Sequence, residues 1–132
     1  MLRTLVLAAL LVATTACGSS TTAPSAYNQT VTGSVDVFGT NRHSLSIPRS
    51  GTMTLTLTWI DGIVDLDLYL SNPSCTTLYP KASCSIVQSS STAAGTSERI
   101  SRTVGSGESY NIFVDNLSVT RTQTYTLTIN IQ

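Results

Sequence analysis

A strict alternation of polar and apolar side chains over Thr52–Trp59 is the feature that most constrains how this chain folds. The even-numbered positions are all threonine, and the odd-numbered positions are Met53, Leu55, Leu57 and Trp59. Such a period of two is typical of a β-strand with one buried face. The stretches DLDLYL, SYNIFVDN and TYTLTINI repeat the pattern, and no helical apolar pattern persists beyond the N-terminal segment.

Turn-forming residues divide the chain from Tyr27 onward into strand-length segments, for example at Pro48, Gly51 and Pro73. Weaker strands are predicted at Val31–Phe38, Leu45–Ile47, Ile86–Gln88 and Arg99–Val104. The pattern predicts an all-β fold of about seven or eight antiparallel strands, packed as a two-sheet, jelly-roll-like β-sandwich that follows an N-terminal signal helix.

The N-terminal segment has the pattern of an export signal. It carries one positive charge at Arg3 and an apolar run over Leu5–Ala13, which is too short for an ordinary membrane-spanning helix. Small residues then lead directly to Cys17. This arrangement resembles the signal of bacterial lipoproteins, which implies cleavage before Cys17 and attachment of a lipid to its thiol. The alternative is an ordinary secretory signal followed by a spare cysteine.

The chain is therefore predicted to have three parts: a lipoprotein signal peptide over residues 1–16, a lipidated cysteine with a flexible tether over residues 17–26, and one β-sandwich domain over residues 27–132. The tether is rich in Ser and Thr and has no charge. This organisation predicts a lipid-anchored, extracytoplasmic protein of the bacterial cell envelope, on the outer membrane or cell surface, with the membrane as a partner through Cys17.

Composition excludes several classes of function. Charged residues make up 11% of the chain and cancel to a net charge of +0, so no basic surface for nucleic acid is expected. His43 is the only histidine, and neither GxSxG nor HExxH occurs. Any serine triad or cysteine dyad would have to use His43. We therefore predict that the protein is not an enzyme and that His43 is an exposed loop residue.

Five segments also support a family resemblance. In order they are SGTMTLTLTW, DLDLYL, SERISRTV, GESYNIFVDN and TYTLTI, and the resemblance covers roughly Val31 to Ile131. This series resembles the bacterial pre-peptidase C-terminal domain, a β-sandwich module that usually follows the catalytic domain of a secreted peptidase. The resemblance implies the same fold here, in a module that stands alone on its tether.

Cys75 and Cys84 lie in the segment after the DLDLYL strand. In an exported protein their spacing predicts a disulfide that closes one loop, and two cysteines without a nearby histidine do not make a zinc site. Closing so short a loop stabilises the fold by about 2–3 kcal/mol. Tyr79 and Lys81 on this loop are candidate binding residues, with incidental exposure as the alternative.

Asp65 and Asp67 are the candidate acidic pair. Alternation places them and Tyr69 on the strand face opposite three leucines, so both carboxylates are fixed close together. A structural role would need an offset from loop hydrogen bonds or from an arginine such as Arg99 or Arg102, and Asp67→Asn should then lower the melting temperature. The alternatives are calcium binding, with additional oxygen ligands from Asp36, Asp61 or Asp115, and catalysis. We favour the structural role and predict no metal and no cofactor.

Two functions are consistent with the sequence. The first is a lipid-anchored extracytoplasmic binding module, without catalytic activity, for a protein, peptide or polysaccharide. The second is a structural or assembly partner of another envelope protein or secreted peptidase, with no ligand of its own.

Overall fold

The computed structural model describes residues 25–81, 84–93 and 95–132. One sheet has the order β1-β8-β3-β6 and the other β2-β7-β4-β5, with antiparallel pairing between neighbours. The strands are β1 Tyr27–Val35, β2 Thr40–Ser46, β3 Gly51–Trp59, β4 Leu66–Ser71, β5 Ile86–Ser90, β6 Ser97–Val104, β7 Ser109–Asn116 and β8 Gln123–Ile131. This is the strand order of a jelly roll, so the predicted fold class is confirmed. The predicted signal helix and Cys17 lie outside the described residues.

The core lies between the two sheets and is built from the alternating positions that the sequence indicates. Strand β3 contributes every second side chain, β4 contributes its leucines, and β7 and β8 contribute theirs in the same phase. The fully buried side chains include Met53, Leu55, Leu57, Leu66, Leu68, Leu70, Ile112 and Leu127. Because each side chain of this size contributes about 1.5–3 kcal/mol on burial, the register of every strand is fixed by the face it must bury.

The first strand is displaced from its predicted position. The sequence pattern predicts it over Val31–Phe38, but it begins at Tyr27 and ends at Val35 because it pairs with β8 along its whole length. The chain then turns over Asp36–Gly39, and the Gly39 amide donates to the Asp36 carbonyl at 2.8 Å. Phe38 therefore lies in a tight turn and not in a strand, and it is exposed.

The sandwich has two distinct ends. The β1–β2, β3–β4 and β7–β8 connections meet at one end, where backbone hydrogen bonds join them: the Phe38 amide donates to Ser118 and the Leu117 amide donates to Asp65. The start of β1 lies at the opposite end, next to the last residues of β8. Strand β1 separates the two ends by about 26 Å, given the usual rise per residue. No helix among the described residues could span a membrane.

Candidate functional site

Two buried aspartates face each other on the outer side of the second sheet. Asp67 of β4 lies directly opposite Asp115 of β7, and the two side chains are 4% and 1% exposed. The Tyr69 hydroxyl donates to Asp67 Oδ2 at 2.6 Å. Asp115 accepts from the Thr40 hydroxyl at 2.8 Å and from the Tyr79 hydroxyl through a short hydrogen bond. The sequence predicts that Asp67 is paired with Asp65, whereas in the fold Asp67 is paired across the strands with Asp115.

A lysine from the disulfide loop supplies the positive charge at this cluster. Lys81 Nζ donates to the Tyr69 hydroxyl at 2.6 Å and lies 4.4 Å from the centre of the Tyr69 ring. The expected offset from Arg99 or Arg102 is wrong, because both lie on β6 in the other sheet. A hydroxyl therefore connects the ammonium group of Lys81 to the carboxylate of Asp67.

The Asp67 carboxyl carries an electrostatic cost in the folded protein. Burial raises its pKa above the ordinary value of 3.8, and the hydrogen bond from Tyr69 and the charge of Lys81, which act in the opposite direction, do not cancel this effect. The neighbouring charges of Asp65 and Asp115 raise the pKa further. The ionised form of Asp67 is therefore less favourable in the fold than in the unfolded chain.

This cost reverses the effect that the sequence predicts for Asp67→Asn. Because the pKa of Asp67 is higher in the folded protein, protonation of this carboxyl stabilises the fold. That stabilisation is fully present below the unfolded pKa of 3.8, and it is lost as the pH rises through the folded pKa. Because asparagine keeps an oxygen acceptor for Tyr69, we expect the variant to melt at or above the wild-type temperature at pH 7. This advantage should shrink as the pH falls toward about 4. Thermal melts at both pH values test it. A variant that melts several degrees lower at pH 7 would show that the charge stabilises the fold.

The other weak calcium candidates, Asp36 and Asp65, lie in connections outside the strands that hold this cluster. Asp65 precedes β4, and its pKa is raised by burial and by the charge of Glu98. Asp36 lies in the β1–β2 turn, where it accepts from the Thr122 hydroxyl at 3.2 Å. Within the described part of the chain, no three His, Cys, Asp or Glu side chains are grouped as a metal site. The absence of a metal and of catalysis stays a prediction.

The predicted disulfide between Cys75 and Cys84 is confirmed. Its loop folds back over the outer face of the second sheet and makes a small second core with Tyr69 and Phe113. Asn111 fixes the loop by donating to the carbonyls of Pro73 at 3.0 Å and Cys75 at 2.8 Å. The candidate binding residues Tyr79 and Lys81 direct their polar atoms to Asp115 and Tyr69 inside this assembly. Their role in recognition stays a prediction.

His43 lies in strand β2, so the expected loop position is wrong. It is half-buried between the sheets, and its Nε2 is 2.7 Å from the Tyr125 hydroxyl. Burial lowers the pKa of His43. Tyr125 also packs against Gly33, where an added Cβ would come within 2.5 Å of the hydroxyl oxygen. These contacts are those of a packed side chain and not of a serine or cysteine dyad.

The most distinctive surface lies at the end where the β1–β2, β3–β4 and β7–β8 connections meet. Among the described residues, seven large apolar side chains are exposed, and all except Tyr79 are in these three connections. The exposed fractions of the six in the connections are Val37 38%, Phe38 67%, Ile60 90%, Ile63 80%, Leu117 41% and Val119 65%. We call the connections over residues 36–39, 60–65 and 117–122 the apolar loop end. A concentration of exposed apolar side chains at one end of the domain indicates an interaction site.

A buried asparagine holds the apolar loop end in shape. Asn116 is 1% exposed, and its Nδ2 lies within hydrogen-bond distance of three carbonyls, those of Val35, Asp36 and Arg121, at 3.3, 3.0 and 2.8 Å. Its Oδ1 accepts from the Ser118 amide at 2.9 Å. An ion pair of 2.6 Å joins Arg121 to Asp61 and so links the β7–β8 connection to the β3–β4 connection. The three connections are therefore preorganised, which reduces the entropy lost when they bind.

Phe38 has an unfavourable backbone conformation at the tip of this surface. Its φ of 51° lies in the left-handed region, at a turn position that normally takes glycine or asparagine. A bulky residue there costs about 1–2 kcal/mol. The ring is also 67% exposed, so burial in this chain does not offset that cost. A strained and exposed aromatic residue indicates a functional side chain.

A shallow groove of about 450 Å³ adjoins the apolar loop end on the outer face of the first sheet. Hydroxyl side chains of β1, β3 and β8 line it, and Ile60 stands at its edge. The groove is therefore continuous with the apolar loop end at Ile60, which is 90% exposed.

Reasoning from the sequence misses this surface. The alternation places Phe38 in a strand, and it gives Ile60, Ile63 and Val119 no role beyond that of loop residues. The detectable signal is an excess of large apolar residues in short connections, within DVFG, IDGIVD and LSVTRT. These stretches become one surface only because the jelly-roll order brings three separate connections to the same end.

Several solved structures have this fold, although no protein-family model and no curated protein matches the chain. PliG of Aeromonas hydrophila, a periplasmic inhibitor of g-type lysozyme, has a TM-score of 0.60 at 14% identity, over 83% of this chain and 90% of that chain. The Yersinia pseudotuberculosis-derived mitogen has a TM-score of 0.58 at 16% identity, over 80% and 86%.

The pre-peptidase C-terminal domain of a Bacillus anthracis collagenase also has a TM-score of 0.58 at 16% identity, over 77% of this chain and 88% of that chain. The fold implied by the resemblance to that family is therefore confirmed. At this identity, the likeness concerns the fold.

Proposed function

We propose that this chain is a lipid-anchored, extracytoplasmic binding module without catalytic activity, and that its ligand is a protein held at the apolar loop end. The observation that carries the proposal is the concentration of exposed Phe38, Ile60, Ile63 and Val119 on connections that a buried asparagine and an ion pair hold together. Rigid apolar side chains at the centre of an interface supply most of its binding energy.

A protein ligand fits this surface better than a polysaccharide. Sugar sites commonly use a platform of exposed aromatic rings, but Trp59, Tyr110 and Tyr125 face the core, where each is less than 8% exposed, and Phe38 is the one aromatic residue of the apolar loop end. Aliphatic side chains dominate the apolar loop end. They bury well against a complementary protein cleft and offer little to hydroxylated rings.

The position of the surface agrees with a tethered module. The tether from the proposed lipid on Cys17 would join the domain at Tyr27, where β1 begins. The apolar loop end lies at the other end of β1. A partner would therefore be met on the side of the domain away from the anchor. The Cys75 to Cys84 disulfide is typical of an oxidising, extracytoplasmic compartment.

The structures that share this fold suggest one protein to test as a ligand, g-type lysozyme. PliG is a periplasmic inhibitor of g-type lysozyme, and inhibition of a secreted enzyme is one form that protein binding takes. The alternative function is that of a structural or assembly partner of another envelope protein or secreted peptidase, with no ligand of its own. Inhibition assays with purified g-type lysozyme examine the first form directly.

Photo-crosslinking in living cells tests the proposal and isolates the bound protein as a covalent adduct. The full-length chain would carry the photoreactive residue p-benzoylphenylalanine in place of Phe38, and in a control in place of Ser106. Ser106 is exposed in the connection at the opposite end, where its amide donates to Ser50. We expect one dominant protein adduct from position 38 that is absent from position 106.

Two results would contradict the proposal. Equal adducts from positions 38 and 106 would mean that the contacts are non-specific. Adducts to lipid alone from position 38 would mean that the apolar loop end inserts into a bilayer and does not hold a protein.

A further inference from the structure

We propose that the partner of the apolar loop end presents an apolar cleft bordered by lysine or arginine side chains. This inference rests on the proposed function and adds the charge of the partner to it. It comes from the acidic residues that surround the exposed apolar side chains, because complementary charge around an apolar centre determines which partners associate.

Acidic residues outnumber basic residues at this end. The connections of the apolar loop end contain Asp36, Asp61 and Asp65, and Arg121 is their one basic residue. Arg121 is already paired with Asp61 at 2.6 Å. Asp36 and Asp65 make no ion pair with another described residue. Two carboxylates therefore remain available to a partner.

The remaining cations of the described domain are elsewhere, and Arg49 is in the β2–β3 connection at the opposite end. Arg42 is in β2 and donates to the carbonyl of Thr76 in the disulfide loop, and Lys81 donates to Tyr69. Arg99 and Arg102 belong to β6, and the guanidinium of Arg102 lies 6.0 Å from the ring centre of Tyr110. The chain is neutral overall, so the acidic end reflects the placement of its charges and not its composition.

A buried glutamate strengthens the negative field. Glu98 is 2% exposed at the start of β6, and it accepts a hydrogen bond from the Thr92 amide at 2.6 Å. Its charge contributes to the raised pKa of Asp65. The field from Glu98 and Asp65 opposes approach of this end to an anionic membrane surface. A partner with positive charge around an apolar cleft matches both the exposed apolar side chains and the negative field around them. Exposed charges act over about 8–10 Å at physiological salt, so the partner's charges need only border the cleft.

The test uses the adduct formed from p-benzoylphenylalanine at position 38 in the full-length chain. Its yield would be compared in four backgrounds: unchanged, Asp36→Asn with Asp65→Asn, Ile60→Ser with Ile63→Ser, and Glu108→Gln. Asparagine keeps the oxygen at position 36 that accepts from Thr122. Glu108 is an exposed acid at the opposite end and is the matched charge control.

We expect the double asparagine background to lower the adduct yield about tenfold at low salt, where the rim charges act most strongly. The Glu108→Gln background should keep the full yield. Raising the salt concentration in permeabilised cells should lower the unchanged yield toward that of the double asparagine background. The adduct peptides should come from a segment that contains lysine or arginine.

The outcomes separate this inference from the proposed function. If the double asparagine background keeps its yield while the double serine background loses it, the cationic rim is wrong and the apolar site stands. If both backgrounds keep their yields, the apolar loop end is not the binding site and both proposals fail. An equal loss with Glu108→Gln would show a general effect of net charge and would also contradict the inference.

Discussion

Replacement of Asn116 by alanine is expected to destabilise the domain by about 3 kcal/mol, because buried polar groups lose their partners. Its side chain lies within hydrogen-bond distance of the carbonyls of Val35, Asp36 and Arg121 and of the Ser118 amide. The alanine variant removes these bonds at a site that is 1% exposed, where water cannot readily replace them. For a domain of this size, the melting temperature should fall by more than about 10 °C.

Asn130→Ala is the matched control for this prediction. Asn130 lies in β8, is half-buried and contacts Asn28 through its side chain on the outer face of the first sheet. That variant should melt within a few degrees of wild type, since substitutions on the outer face of a sheet typically change stability by about 0.5 kcal/mol or less. Equal melting temperatures for Asn116→Ala and wild type would mean that Asn116 does not hold the β1–β2 and β7–β8 connections together.

The core could be predicted from the sequence because burial follows directly from alternation. In β3, every threonine faces outward and each of Met53, Leu55, Leu57 and Trp59 faces the core. The disulfide could also be predicted, since it depends on compartment and spacing. Both predictions use interactions that are local along the chain, and a two-residue period leaves one choice of face.

The polar cluster could not be predicted from the sequence. Asp67 and Asp115 are far apart in the chain and face each other only through the pairing of β4 with β7. Lys81 reaches Tyr69 only because the disulfide loop folds over the sheet. Pairing of this kind is set by the strand order of the whole fold, which local alternation does not specify.

The apolar loop end escapes prediction for the same reason and for one more. Its connections come together through the strand order, and its residues break local rules that sequence analysis relies on. Phe38 takes a left-handed turn position that favours glycine, and Ile60 and Ile63 are large apolar residues exposed to solvent. Violations of local rules are concentrated where a chain serves function at the expense of stability.

Substitutions at Phe38 are therefore expected to separate stability from binding. Phe38→Gly and Phe38→Asn both remove a side chain that is 67% exposed and place a residue suited to the observed φ of 51°. Relief of the strained backbone should leave the melting temperature equal to or above that of wild type. Removal of the ring should lower partner binding by about tenfold to a hundredfold, which is typical of an aromatic side chain that carries much of the binding energy.

The most direct measurement combines both readouts in the full-length chain. The yield of the protein adduct would be measured from p-benzoylphenylalanine in place of Val119, on the adjacent connection, with Phe38, Gly or Asn at position 38, beside the melting temperature of each protein. We predict that both substitutions lower the adduct yield while the melting temperature stays the same or rises. Unchanged yields, or yields that fall only together with the melting temperature, would contradict the assignment of the apolar loop end as a binding site.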